Sequence, residues 1–314
     1  MTFVPIAALE LNGMTSSVHY GAYVALDREG DVAAWAGDPD VRVFARSAWK
    51  PAQAAAMASC GLDLPDELLA IVCASHSGGP THVRLVRALL RRVGASESLL
   101  ANTPDLPLDE AEARTVIAAG GAPTPMTANC SGKHAGMIAT CLLNQWPVNE
   151  GAYLQPEHPL QRNIWTAVQR LAGPTVRRAG PDGCGAPTFT CSLRAVADAF
   201  RRLAAAPSGT SEHRVYRAMT RFPVHCGGVG RIATDVMLAV PGLVAKDGAE
   251  GVFAAAHTDG RAIALKIADG SSRARRPVLA GALTQLGFDM AGFEHAGAIG
   301  PRTDGRPLFR VRAL

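Results

Sequence analysis

Arg46-Ser47-Ala48-Trp49-Lys50-Pro51 holds a serine followed three residues later by a lysine. Where a helix begins, positions i and i+3 share a face, so Ser47 Oγ and Lys50 Nζ are expected on one side of a first turn. Pro51 fits that turn, because its missing N–H would have no intrahelical partner there. A serine hydroxyl is a weak nucleophile until a base takes its proton. A lysine is such a base only if burial or a nearby cation brings its pKa from about 10.4 toward neutrality. The same residues also describe an ordinary exposed helix start, so the meaning of the motif depends on the rest of the chain.

Lysine usage favours chemistry. Of 31 basic residues only Lys50, Lys133, Lys246 and Lys266 are lysine, which leaves 27 arginines. Arginine stays protonated in proteins, whereas lysine can lose its proton. A position that remains lysine against this bias is a candidate for work that arginine cannot do.

Outward from Ser47, the pattern is strands, then helices, then strands, then one helix. Residues 3–36 read as short strands joined by tight turns at Asn12-Gly13 and Arg28-Glu29-Gly30, an antiparallel meander. The Ser47 helix is expected to reach Cys60-Gly61. Leu68 to Ala74 is an apolar run, either a buried strand or a helix end. An arginine-faced amphipathic helix follows to about Val93. Residues 102–127, with Pro104, Pro107, Pro123 and Pro125, read as loop. Helices are expected from Asn129 to Leu143, from His158 to Ala172, from Cys191 to Ala206 and from Glu212 to Arg221. Ala179 to Thr190 reads as a Gly- and Pro-rich loop. A second meander covers Val240 to Ala268, and a last helix covers Pro277 to Leu286. Strands from both ends should complete one antiparallel sheet, roughly 1–45 with 240–314, flanked by helices, with a helical middle region over 46–239. The expected fold is α+β, a single catalytic domain over 1–314.

The 314 residues, 48% apolar and 18% charged, describe a globular chain with a large core. A net charge of +4 is too small to indicate a nucleic-acid or lipid partner. Arg84, Arg87, Arg91 and Arg92 alternate with Val83, Val86, Leu89, Leu90 and Val93 and read as a solvated helix face. Met1 to Glu10 shows no signal-like pattern, and no apolar run is long enough to span a membrane, so a cytoplasmic protein is expected. Seven cysteines suggest reduced thiols.

Two further motifs follow the first, Ser75-His76-Ser77 and Lys246-Asp247-Gly248. The order Ser-x-x-Lys, Ser-x-Asn, Lys-Thr-Gly marks serine β-lactamases and penicillin-binding proteins. Here the second motif ends in serine, the third has Asp247 for Thr, and Lys50 to Ser75 is a shorter spacing than those enzymes show. The three motifs in this order point to acyl transfer.

The sequence resembles the type II L-asparaginase family of the Rhizobium kind, β-lactamase-like Ser/Lys amidohydrolases. The resemblance runs from the first strand to the last helix. It rests on Gly37-Asp38-Pro39, Arg46-Ser47-x-x-Lys50-Pro51, Ala74-Ser75-His76-Ser77-Gly78, Asn129-Cys130-Ser131-Gly132-Lys133-His134, Gly180-Pro181-Asp182-Gly183-Cys184-Gly185, Ala245-Lys246-x-Gly248-Ala249-Glu250-Gly251 and Ala264-Leu265-Lys266-Ile267-x-Asp269-Gly270. Two residues depart from the family pattern: Gly79 stands where an acidic residue is expected, and Trp49 is bulkier than expected.

The resemblance implies hydrolysis of L-asparagine to aspartate and ammonia by two Ser/Lys pairs, Ser47 with Lys50 and Ser75 with Lys246. Lys266 is a rival for the partner of Ser75, and either serine is a candidate nucleophile. It also implies a Zn2+ site of Cys130, Lys133 and Cys184 completed by water, with Asp182 and His134 beside it. Arg46, His76, Asn129, His134 and Asp182 are the expected substrate contacts, although a structural role for His76 is equally open. A homodimer is expected. Spacing alone would leave both cysteines as buried hydrophobes, because no Cys-x-x-Cys links them. The alternatives are a glutaminase, a β-lactamase-like hydrolase, or a non-catalytic amino-acid-binding protein on the same scaffold.

Overall fold

A computed structural model describes residues 1–291, 293, 299–301 and 307–314. Four strands open the chain: β1 (Val4–Leu11), β2 (Met14–Leu26), β3 (Val32–Ala36) and β4 (Arg42–Phe44). A 3-10 turn over Arg46–Trp49 runs into α1 (Lys50–Ser59). Then come α2 (Asp66–Val72), α3 (Pro80–Arg92), α4 (Glu110–Ala118), α5 (Ser131–Leu143) and α6 (Pro159–Ala172). They lead to β5 (Arg177–Pro181), β6 (Pro187–Ser192), α7 (Leu193–Ala204), α8 (Ser211–Arg221), α9 (Pro223–Cys226) and α10 (Ile232–Ala239). The chain closes with β7 (Leu243–Asp247), β8 (Val252–His257), β9 (Ala262–Ile267), α11 (Arg275–Gln285), β10 (Ile299–Pro301) and β11 (Pro307–Ala313). The class is α+β, as the element pattern implies. No helix among the described residues is long and apolar enough to cross a membrane.

Two compact units emerge, Met1–Ala48 with Thr190–Ala205 and Val236–Leu314, and Trp49–Phe189 with Ala206–Asp235. The first is built on a sheet in the order β10-β11-β1-β2-β9-β8-β7, with β3 also on β2. Every pair is antiparallel, in registers such as Leu9↔Val311, Ala22↔Lys266 and Lys246↔Ala254. Strands from the two chain ends thus do share one sheet. β10 and β11, beyond the last expected helix, extend it.

α7 packs on β2, β8 and β9 of this unit. Its buried Leu193, Val196, Ala197, Phe200 and Leu203 recur at helical spacing on one face. Ser192 caps it by accepting the Ala195 N–H at 3.2 Å. Burial of each large apolar side chain contributes about 1.5–3 kcal/mol.

In the second unit α1 and α5 form the interior. Nine of the ten α1 residues and eleven of the thirteen α5 residues are buried. The alanine run of α1 lets neighbouring backbones approach, and α5, α6 and α8 all pack on it. α2 packs on α5 and α8. This settles Leu68–Ala74: Asp66 and Glu67 start a helix whose apolar end is buried, and no strand forms there. Inside the region read as loop, α4 is a short helix, whose N-cap Asp109 accepts the N–H groups of Ala111 and Glu112. The stretch read as a loop over 179–190 is loop only at 182–186, because β5 and β6 occupy its two ends. All seven cysteines are free thiols.

Candidate active site

α1 carries Lys50 at its first position, and the side chain is 3% exposed. Its ammonium donates to Ala74 O at 2.7 Å, Ser75 Oγ at 3.0 Å and Asn129 Oδ1 at 3.3 Å. Each of these acceptors suits a proton of a charged lysine. A neutral lysine would keep two of these bonds and turn its lone pair toward a hydroxyl. Ser75 is itself buried, with its N–H on Cys226 O at 3.1 Å. The trio comes from three places: the start of α1, the segment after α2 and the segment before α5.

The segment after α2 is held in place by hydrogen bonds through its neighbours. His76 is fully buried, with Nε2 2.9 Å from Ser131 Oγ and Nδ1 accepting the Gly78 N–H at 3.1 Å. Ser131 Oγ in turn donates to Met126 O at 2.9 Å. His76 N–H donates to Asn129 O at 3.1 Å, and Ser77 N–H to Gly227 O at 2.8 Å. Both His76 ring nitrogens are therefore engaged inside the protein. Burial pushes its pKa well below the usual value, with the charges of His82 and Lys50 adding to the effect. The imidazole is neutral and its Nε2 carries the proton. Both contacts are what a structural role, one of the two readings of the sequence, would require.

Gly132 explains how α5 comes so close. A Cβ there would lie 2.2 Å from Ile71 O, at the end of α2. Only glycine lets the two backbones meet at that distance, which brings Asn129 and Cys130 beside Ser75 and His76.

One turn into α5 lies a second cluster. The sulfurs of Cys130 and Cys184 and a ring nitrogen of His134 lie within 4.8 Å of one another. Lys133 Nζ donates to Cys184 Sγ at 2.9 Å, and Lys133 is 3% exposed. Cys184 is held far below the usual thiol range, first by a hydrogen bond from Cys130, then by the Lys133 charge and by His134. Cys130 is pushed up as the donor of that bond and by burial. Burial opposes the charge on Lys133, but the two sulfurs and Asp182 outweigh it and its pKa is raised. Burial and the neighbouring Lys133 lower His134 to about 4. Asp182 shapes the cysteine loop: its Oδ1 accepts the Gly183 N–H at 2.7 Å, and its carbonyl accepts the Gly185 N–H at 2.8 Å. One buried and one half-buried thiol, beside an amine that must first give up its proton, suit a borderline-soft cation such as Zn2+.

The first unit holds the other expected residues. Arg46 has φ +48°, an uncommon conformation for a non-glycine residue, and its guanidinium lies 4.0 Å from Glu250. Ser47 follows it in the 3-10 turn. Lys246, fully buried on β7, donates to Asp247 O at 2.7 Å and Asp247 Oδ1 at 2.6 Å. Lys266 is half-buried and donates to the carbonyls of Glu250 and Ile267. Burial lowers its pKa. In the second unit Trp49 is buried, so its bulk is accommodated in the interior.

A family profile described as L-asparaginase II matches residues 7–300. The chain belongs to the L-asparaginase II family. No curated protein matches it in sequence. Among solved structures it is similar to one assigned as a beta-lactamase from Bacteroides dorei DSM 17855, with 12% identity over 84% of this chain and 92% of that one, at a TM-score of 0.50. It is also similar to a beta-lactamase from Mycobacterium bovis, with 17% identity over 87% and 94% at 0.46, and to a structure assigned as the glutaminase ybaS, with 18% identity over 87% of each chain at 0.47. The first of these likenesses shows a β-lactamase-like fold, in agreement with the α+β arrangement.

In this L-asparaginase II chain, sequence reading missed Tyr153 and the role of Ser131. Tyr153 is fully buried, accepts the Ala101 N–H at 2.9 Å and lies 3.1 Å from His134 Nδ1. No motif surrounds it, and its only sequence signal is that it is one of four tyrosines. Ser131 stood inside a quoted motif, but its partner His76 is 55 residues away.

Proposed function

We propose that this member of the family is an amidohydrolase of L-asparagine working through a Ser/Lys acyl-enzyme. The observation that carries the proposal is the buried Lys50–Ser75 hydrogen bond of 3.0 Å, in a chain whose family match spans residues 7–300. Ser47, one helical turn before Lys50 in the chain, is the proposed nucleophile. Its Oγ bonds to the side-chain amide carbon while neutral Lys50 takes its proton. The C–N bond then breaks, and a proton delivered through Ser75, with Lys246 as the second lysine, leaves with the amine as ammonia. Water hydrolyses the resulting ester, releasing aspartate and restoring the serine. A base must be partly neutral near working pH; burial of Lys50 and Lys246 works toward that state, against the acceptors that hold each amine, the Asp247 carboxylate on Lys246 among them.

Asn129 Oδ1, which holds Lys50, is the residue best placed to orient that amine, and Arg46 and Asp182 remain the proposed substrate contacts. Cys130, Lys133 and Cys184 would hold zinc, and the ion would supply a fixed positive charge that positions substrate or water. The proposed assembly is a homodimer, so light scattering should return twice the 32.8 kDa chain mass.

Ammonia release measured with asparagine, glutamine and the β-lactam nitrocefin in parallel decides the substrate class. Asparagine should be preferred. Faster glutamine hydrolysis or nitrocefin turnover would replace this reading, and asparagine binding without ammonia would make the protein a sensor. Ser47→Ala should lower turnover by several orders of magnitude, as loss of a nucleophile does, and Ser75→Ala should be severely impaired.

A further inference from the structure

Tyr153 and His134 form a dyad that neither the Ser/Lys reaction nor the proposed ligand set uses. Both side chains are fully buried, and the rings meet edge-on with centroids 5.7 Å apart. The phenol oxygen accepts the Ala101 N–H at 2.9 Å and lies 3.1 Å from His134 Nδ1. His134 Nε2 is buried with no hydrogen-bond partner among the described residues. The nearby polar groups are those of the thiol cluster, within which a His134 ring nitrogen and the two sulfurs lie within 4.8 Å.

Counting protons fixes the orientation of this dyad. A phenol has one proton and two lone pairs. One lone pair takes the Ala101 N–H, so the phenol proton needs an acceptor. The acceptor within reach is His134 Nδ1. If Nδ1 carried the proton, the phenol would accept twice and its own O–H would be left unmet in a dry interior, at a cost of about 1–3 kcal/mol. Tyr153 therefore donates to Nδ1, and the neutral ring carries its proton on Nε2. An N–H nitrogen has no lone pair for a cation, but it is a hydrogen-bond donor beside a thiolate.

We propose that Tyr153 locks His134 as the Nε2–H tautomer, so that His134 serves the Cys130–Cys184 cluster as a hydrogen-bond donor to sulfur and not as a metal ligand. Its place one helical turn after Cys130, within 4.8 Å of both sulfurs, would otherwise make it a natural further ligand. The metal-binding consequence rests on the zinc reading above, whereas the tautomer does not.

The deciding experiment labels the full-length protein with 15N-histidine and records long-range proton–nitrogen spectra with and without added zinc. His134 should show a protonated Nε2 and an unprotonated Nδ1 in both. A protonated Nδ1 in the metal-free protein, or an Nε2 that becomes a zinc-bound pyridine-type nitrogen, would overturn the proposal. Zinc affinity measured against a chromophoric chelator supplies a second readout. His134→Gln keeps an N–H at the Nε2 position and should bind zinc nearly as the unaltered protein does. His134→Ala and Tyr153→Phe should lose about 10–100-fold, the usual cost of removing an outer partner of a metal site. Equal losses for the Gln and Ala variants would mean that His134 is a ligand. Zinc-free protein that takes up no zinc at all would end the metal half, while the metal-free spectrum still judges the tautomer.

Discussion

If Lys50 acts only as a positive charge, arginine should replace it with modest loss. If it exchanges protons, arginine cannot serve. Lys50→Arg and Lys246→Arg are expected to stay folded by circular dichroism while turnover falls by about 10²–10⁴-fold, the scale of general acid–base catalysis. Lys266→Arg should be far milder, because Lys266 is half-buried and donates to two backbone carbonyls. Active, folded arginine variants at both 50 and 246 would leave only electrostatics. His76 invites a different test. With both ring nitrogens engaged, His76→Leu leaves the Gly78 N–H unmet in a buried site and should cost about 1–3 kcal/mol of stability, read as a lower melting temperature. As a positioning residue it should lower kcat more than it raises KM for asparagine, whereas loss of a direct substrate contact would raise KM first.

The junction between α2 and α8 rests on Asp66, which takes hydrogen bonds from Arg217 at 2.7 and 3.0 Å and from Arg221 at 2.9 Å. The Arg217 bonds, with the arginine charges behind them, hold the Asp66 carboxyl below its ordinary value. Its unfolded pKa is about 3.9. The stability that the ionised form contributes is thus fully present above that value, and it is lost as pH falls through the lower folded-state pKa. Asp66→Asn should be less stable than the unaltered protein at neutral pH, and the two urea-unfolding midpoints should converge below about pH 4. Unchanged separation in acid would mean that the arginines do not act through the charge. At this scale the sequence was legible wherever periodicity ran long: α3, α5, α6, α7 and α8 stand close to where their apolar spacing put them. It was not legible at α2, where seven apolar-rich residues suit a strand as well as a helix. Nor was it legible at α4, where flanking prolines obscured the Asp109 cap. Lys50 and Ser75 could be named from motifs. Their hydrogen bond could not, because it depends on how the start of α1 meets the segment after α2.

For the whole molecule, one zinc ion per chain is the expected composition of protein purified without added metal. Elemental analysis should show it fall sharply in Cys130→Ala and Cys184→Ser, and zinc-free unaltered protein would remove the site. The scarcity of lysine has a practical consequence as well. Lys50, Lys133 and Lys246 are each no more than 3% exposed, and Lys266 is half-buried. Reagents that acylate amines, whether to attach a polymer, a dye or a solid support, would find three of the four lysines out of reach and the fourth half-covered. Conjugation at neutral pH should therefore leave the interior amines untouched.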